Sequence, residues 1–110
     1  MATIPPAQID QASVKLKANI YFDGKVVSHT LTTKEGQRQT VGIIYPGSYK
    51  FNTDAAERMD IISGNCRVRQ AGEKEWKTYS AGTLFNVPAK SAFEIAVDSG
   101  LTEYLCTFEK

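Results

Sequence analysis

The stretch FNTDAAERMDIISG, from Phe51 to Gly64, places one acid where it could do chemistry. Glu57 is followed by the apolar alternation Met59 and Ile61, then Ile62 and a Ser-Gly turn. One half of a metal-binding strand pair in a small β-barrel reads this way. A transition-metal site there would add imidazoles to the carboxylate. The chain has a single histidine, His29, well outside this stretch, and it reads as an exposed or hydrogen-bonded strand residue. The two cysteines, Cys66 and Cys106, form no CxxC pair and fall on apolar strand faces, so buried free thiols are expected rather than a disulfide.

The elements that would carry Glu57 are short and extended. Val14, Leu16, Ala18 and Ile20 alternate with Lys15, Lys17 and Asn19, a strand pattern that starts at Ser13. Asp23-Gly24 between IYF and KVVSHTL predicts a tight hairpin. Turn signals recur at EGQ, PGS, SGN, AGEKE, PAKS and DSG, separated by runs rich in Val, Ile, Tyr, Phe and Thr. Eight to ten short strands with turns this closely spaced predict an all-β sandwich or barrel. DAAERM, the one helix-friendly window, is too short to stand alone.

One domain is expected of 110 residues, 42% of them hydrophobic. The first stretch, MATIPPAQIDQ, is polar and aperiodic, and residues 1–17 are expected as an extension, partly flexible or an added edge strand, ahead of a barrel over 18–110. Thirteen basic and twelve acidic residues are well mixed, so the footprint of a nucleic-acid binder is missing. No apolar run approaches the ~20 residues of a membrane span, and no signal-peptide pattern opens the chain. A soluble cytoplasmic protein is the expectation.

Two segments resemble the paired motifs of the cupin superfamily, a jelly-roll barrel. Six residues separate Glu57 from Gly64, as in the first cupin motif; Gly82, TLFNV and Pro88 keep the spacing of the second. The histidine positions of those motifs fall on Phe51, Thr53 and Phe93, leaving Glu57 as the one conventional ligand, so no metal is expected. A fuller resemblance runs from Ala18 onward. NIYFDGKVVSHTL, GIIYPGSYKFNT, ERMDIISG, EWKTYSAGTLFNVPAKSAFEIAV and YLC are similar, in order and spacing, to the small bacterial pyrimidine/purine nucleoside phosphorylases, which are cupin-fold proteins.

That resemblance implies a metal-independent pentosyltransferase: a nucleoside and inorganic phosphate give a free base and pentose 1-phosphate, with broad tolerance for the base. It needs no cofactor beyond the co-substrate, and cupin analogy adds a homodimer. Strand alternation then aims Tyr49, Phe51 and Thr53, Glu57 and Met59, Phe93, and Tyr104 into the barrel, with Phe85 beside them. Aromatic walls would stack a base, and Thr53 and Glu57 would be the convergent polar groups. Glu57 could protonate the departing base if burial raises its pKa, or stay ionised, bind ribose hydroxyls and stabilise growing positive charge. Phosphate is expected at Lys90 and Ser91 in the PAKS turn, with Arg38, Lys50 and Arg58 as outside possibilities. The alternative function is a non-catalytic barrel that senses a nucleoside, base or sugar.

Overall fold

The computed structural model describes residues 6–109. Runs of β-branched and aromatic residues cut by glycine turns give eleven strands: β1 (Ser13–Val14), β2 (Asn19–Tyr21), β3 (Val26–Thr32), β4 (Arg38–Ile44), β5 (Gly47–Asn52), β6 (Glu57–Ser63), β7 (Asn65–Gln70), β8 (Lys77–Ser80), β9 (Leu84–Val87), β10 (Ala92–Val97) and β11 (Thr102–Phe108). They form two antiparallel sheets. One runs β1-β3-β4-β11-β6-β9 with β2 also paired to β3; the other runs β5-β10-β7-β8. The DAAERM window forms a bend and then enters β6, with no helix.

Alternation works because each sheet has one buried face. Val26, Ile44, Ile61 and Val87 from the larger sheet meet Val68 and Ile95 from the smaller in a single core. Each such side chain, fully removed from water, stabilises the fold by about 1.5–3 kcal/mol. Cys66 and Cys106 are buried free thiols within it, as expected. The first five residues of the expected extension lie outside the described residues. Among the described residues no helix is long and apolar enough to cross a membrane.

Two local expectations are corrected. The alternation from Ser13 does not make one strand with an inward apolar face. Ser13–Val14 pairs with the far end of β3 and Asn19–Tyr21 with its near end, and the chain bends between them at Leu16–Lys17. Asn19 turns inward instead of Ile20, donating from Nδ2 to Ser28 Oγ at 3.2 Å and Thr30 Oγ1 at 3.0 Å. With Asn19 inside, period two sends Ile20 to solvent; Val14, Leu16 and Ile20 are 51%, 90% and 64% exposed. The Asp23-Gly24 hairpin is also looser than a two-residue turn. Its strands part after Tyr21 and rejoin at Val26, through a 3₁₀ turn in which Phe22 and Asp23 both have positive φ, 52° and 56°. Phe22 carries that strain while its ring packs on Tyr49 and Phe51, at 4.9 and 5.5 Å between centroids.

Gly64, between β6 and β7, has φ +86°, and a Cβ there would collide with the Leu101 carbonyl oxygen. Only glycine fits a backbone so close to the next turn.

Candidate active site

The inner face of the larger sheet is a set of rows read straight from the register. One row is Ser28, Gly42 and Tyr104; the next is Thr40, Cys106 and Met59. In the third, Phe108 of β11 pairs with Glu57 of β6, and Arg38 of β4 lies on the other side of Phe108. Facing them from the smaller sheet, Phe51 and Phe93 are register partners whose rings stack at 5.6 Å and 26°. Between the walls lies a cavity of about 310 Å³, the lower end of small-molecule clefts.

Glu57, together with Asp54, supplies a carboxylate to the cavity lining. Burial raises its pKa above the usual carboxylate range, while a hydrogen bond from Cys106 and the charge of Arg38 pull it back down. The Cys106 thiol donates to Glu57 Oε1 at 3.5 Å, and burial first, then the neighbouring carboxylate, push that thiol well above its ordinary range. Cys106 is therefore a neutral donor and not a nucleophile. Tyr104 is pushed up to about 12, chiefly by burial. Gly42 makes room for it: a Cβ at residue 42 would stand 2.9 Å from the Tyr104 hydroxyl and 2.5 Å from the Val27 carbonyl oxygen.

The mouth is held by backbone ties. Gln37 donates from Nε2 to the Phe108 carbonyl, which joins the start of β4 to the end of β11. The Glu109 N–H donates to the Ala56 carbonyl at 2.8 Å, fixing the residue before Glu57. Arg38 is exposed at this rim, its guanidinium carbon 4.3 Å from the centroid of the Phe108 ring.

The structure gathers Glu57, Phe51, Met59, Phe93 and Tyr104 around the cavity. Thr53, Tyr49, Phe85, Lys90 and Ser91 are placed elsewhere. Thr53 is buried, its hydroxyl donating to the Pro88 carbonyl at 2.6 Å and accepting the Ser91 N–H at 2.9 Å. Tyr49 points its hydroxyl at the Tyr45 and Pro46 carbonyls, 2.8 and 2.9 Å away. Phe85 sits behind Phe93, against Tyr79. Lys90 is exposed in a positive-φ turn, and its N–H is given to the Asp54 carbonyl.

Tyr21, Thr40, Cys106 and Phe108 also line the cavity and were not among the expected site residues; Arg38, which lines it too, was expected only as an outside possibility for phosphate. Cys106 and Phe108 share the inward alternation of Tyr104, which is the signal for them. Arg38 can be reached by counting back in twos from buried Ile44, through Gly42 and Thr40. The cupin metal frame does not fit these residues. Phe51 and Phe93 offer no lone pairs, and the Thr53 hydroxyl is engaged with the backbone. Among the described residues no three His, Cys, Asp or Glu side chains cluster as ligands.

The chain is similar to known proteins over nearly its whole length. The family model described as pyrimidine/purine nucleoside phosphorylase matches residues 16–108. A protein of that name from Methylobacillus flagellatus is 54% identical over 103 residues, covering 94% of this chain and 99% of the relative. Another, from Cupriavidus metallidurans, is 54% identical over 102 residues, with 93% and 98% covered. A crystal structure of an Acinetobacter protein of unknown function superimposes with a TM-score of 0.91 at 40% identity, covering 94% of this chain and all of that one. A cupin from Methanocaldococcus jannaschii, described as a double-stranded β-helix, superimposes with a TM-score of 0.63 at 18% identity, over 86% of this chain and 89% of that one. The all-β, cupin-like fold expected from the sequence is thereby shown.

Proposed function

The chain belongs to the pyrimidine/purine nucleoside phosphorylase family, and from that premise we propose that it cleaves purine and pyrimidine nucleosides by phosphorolysis in this cavity. The observation that carries the reading is Glu57, a carboxylate held by a neutral thiol on one wall of an aromatic pocket of nucleoside-binding size.

In this reading the base lies on the Phe51–Phe93 wall, with Met59 and Tyr104 closing the far side. Stacking on ring faces does not read base edges, which supports broad specificity. Glu57 acts as the carboxylate in this reading: burial pushes its pKa up, and the Cys106 hydrogen bond and the Arg38 charge work against that rise. It binds ribose hydroxyls and stabilises the positive charge that grows on the sugar as the bond breaks. A phosphate oxygen forms the new bond to C1′. The C1′–N bond breaks, its electron pair leaves on the base nitrogen, and that nitrogen takes up, through water, the proton that the phosphate gives up. None of these steps runs through a metal, and the donor set supports metal independence. Thr53, at the crossing of the Pro88 and Ser91 backbones, holds the loop behind the wall in place and touches no reacting atom.

A cytoplasmic setting suits the two reduced thiols. A homodimer through the outer face of the larger sheet would cover Val41 and Ile20, which stand exposed there. The test of the function is simple. EDTA-treated protein is given uridine or adenosine with and without phosphate, and free base is measured by chromatography. Phosphate-dependent release is expected. Thermal stabilisation by nucleoside without release would establish the non-catalytic sensor instead.

A further inference from the structure

We infer that inorganic phosphate binds at Arg38, on the opposite side of Phe108 from Glu57, and not at the Lys90–Ser91 turn. The assignment rests on the phosphorolysis reading and gives it a position for the nucleophile.

Four observations converge. Arg38 is the cationic side chain among the described residues that line the cavity. Arg58, Arg67 and Arg69 are each paired with a carboxylate, Asp60, Asp98 and Glu94; Arg38 has no such partner among the described residues. Its guanidinium carbon instead lies 4.3 Å from the centroid of the Phe108 ring, a cation–π contact that puts no carboxylate on its N–H groups and leaves them to an oxyanion. In the rival turn the Ser91 N–H goes to Thr53 and the Lys90 N–H to the Asp54 carbonyl, so these two amides form no nest, and neither residue lines the cavity.

The geometry also answers an electrostatic demand. Phosphate and an ionised Glu57 repel, yet both must act on one sugar carbon. Arg38 and Glu57 flank β11 on its two sides, which sets their backbones roughly 10 Å apart, two strand spacings. The second carboxylate of the mouth, Asp54, lies in the β5–β6 loop, on the Glu57 side. Anion and carboxylates thus enter from opposite sides of the Phe108 ring, with the sugar between them.

The test compares wild type with Arg38→Gln, Arg38→Lys and Lys90→Gln by phosphate-dependent base release and by calorimetry with inorganic phosphate alone. Arg38 is exposed at the end of a strand, and an unchanged melting temperature will verify folding. Arg38→Gln is expected to raise the KM for phosphate roughly 10- to 100-fold, the loss of a charged hydrogen-bond pair, with the nucleoside KM little changed. Arg38→Lys should recover part of it. An unchanged phosphate KM in Arg38→Gln, or a rise confined to Lys90→Gln, overturns the assignment and leaves phosphorolysis standing. Wild type that binds inorganic phosphate without releasing base overturns phosphorolysis, and the site is then judged by whether Arg38→Gln abolishes that binding. Wild type that neither binds phosphate nor releases base overturns both.

Discussion

Glu57 is held in a compromise between stability and reactivity. Burial favours its neutral form, and the proposed chemistry needs its charged form. The sign of the consequence can be worked out. A carboxyl whose folded pKa is raised contributes stability that is complete below its unfolded pKa and is lost as pH rises through the folded value. Glu57→Gln is therefore expected to melt at a higher temperature than wild type at pH 7. That advantage should shrink as the pH falls to about 4, where the wild-type side chain is protonated in both states. Melting curves at several pH values check it; a variant less stable than wild type at pH 7 would show that the carboxylate is paired more strongly than its one thiol contact suggests. The activity of wild type should run the other way, rising as Glu57 ionises above the ordinary carboxylate pKa.

At the scale of elements, what a strand pattern reveals depends on how many partners the strand has. β6, β10 and β11 each lie between two neighbours with one face on the core, so their period-two rows through Glu57, Phe93 and Tyr104 are legible in the sequence. The segment from Val14 to Ile20 has the same pattern but only the edge of β3 to pair with, and a polar bond from Asn19 decides which face turns inward. Thr53 illustrates a second limit. Its spacing from Glu57 marks it as a site residue, whereas its hydroxyl is consumed by two backbone groups that only the folded loop brings near. Arg38 stood only as an outside possibility for a related reason: a charged residue at a strand end reads as solvent-exposed, and its place depends on β4 and β11 being neighbours. The Gly64 turn is the point where this strand order is most exposed to substitution. Gly64→Ala must hold a positive φ and displace the Leu101 backbone, so a loss of more than about 1 kcal/mol is expected by chemical denaturation. A change within a few tenths of that scale would mean that the 64–101 contact is easily relaxed.

For the whole molecule, the two sheets divide the work. The smaller supplies Phe51 and Phe93, and the larger supplies Glu57, Tyr104 and Arg38. The outer face of the larger sheet is then free to bind a second copy, and light scattering should give twice the chain mass. Val41→Lys places a charge on that face away from the cavity and is expected to yield monomers; an unchanged dimer would move the interface elsewhere. The central claim is tested most directly by following inorganic phosphate with phosphorus NMR while uridine or adenosine is consumed. In wild type a pentose 1-phosphate signal should grow mole for mole with free base, and in Glu57→Gln it should grow at least roughly 100-fold more slowly. Base released without that signal, or Glu57→Gln turning over at the wild-type rate, would contradict the account.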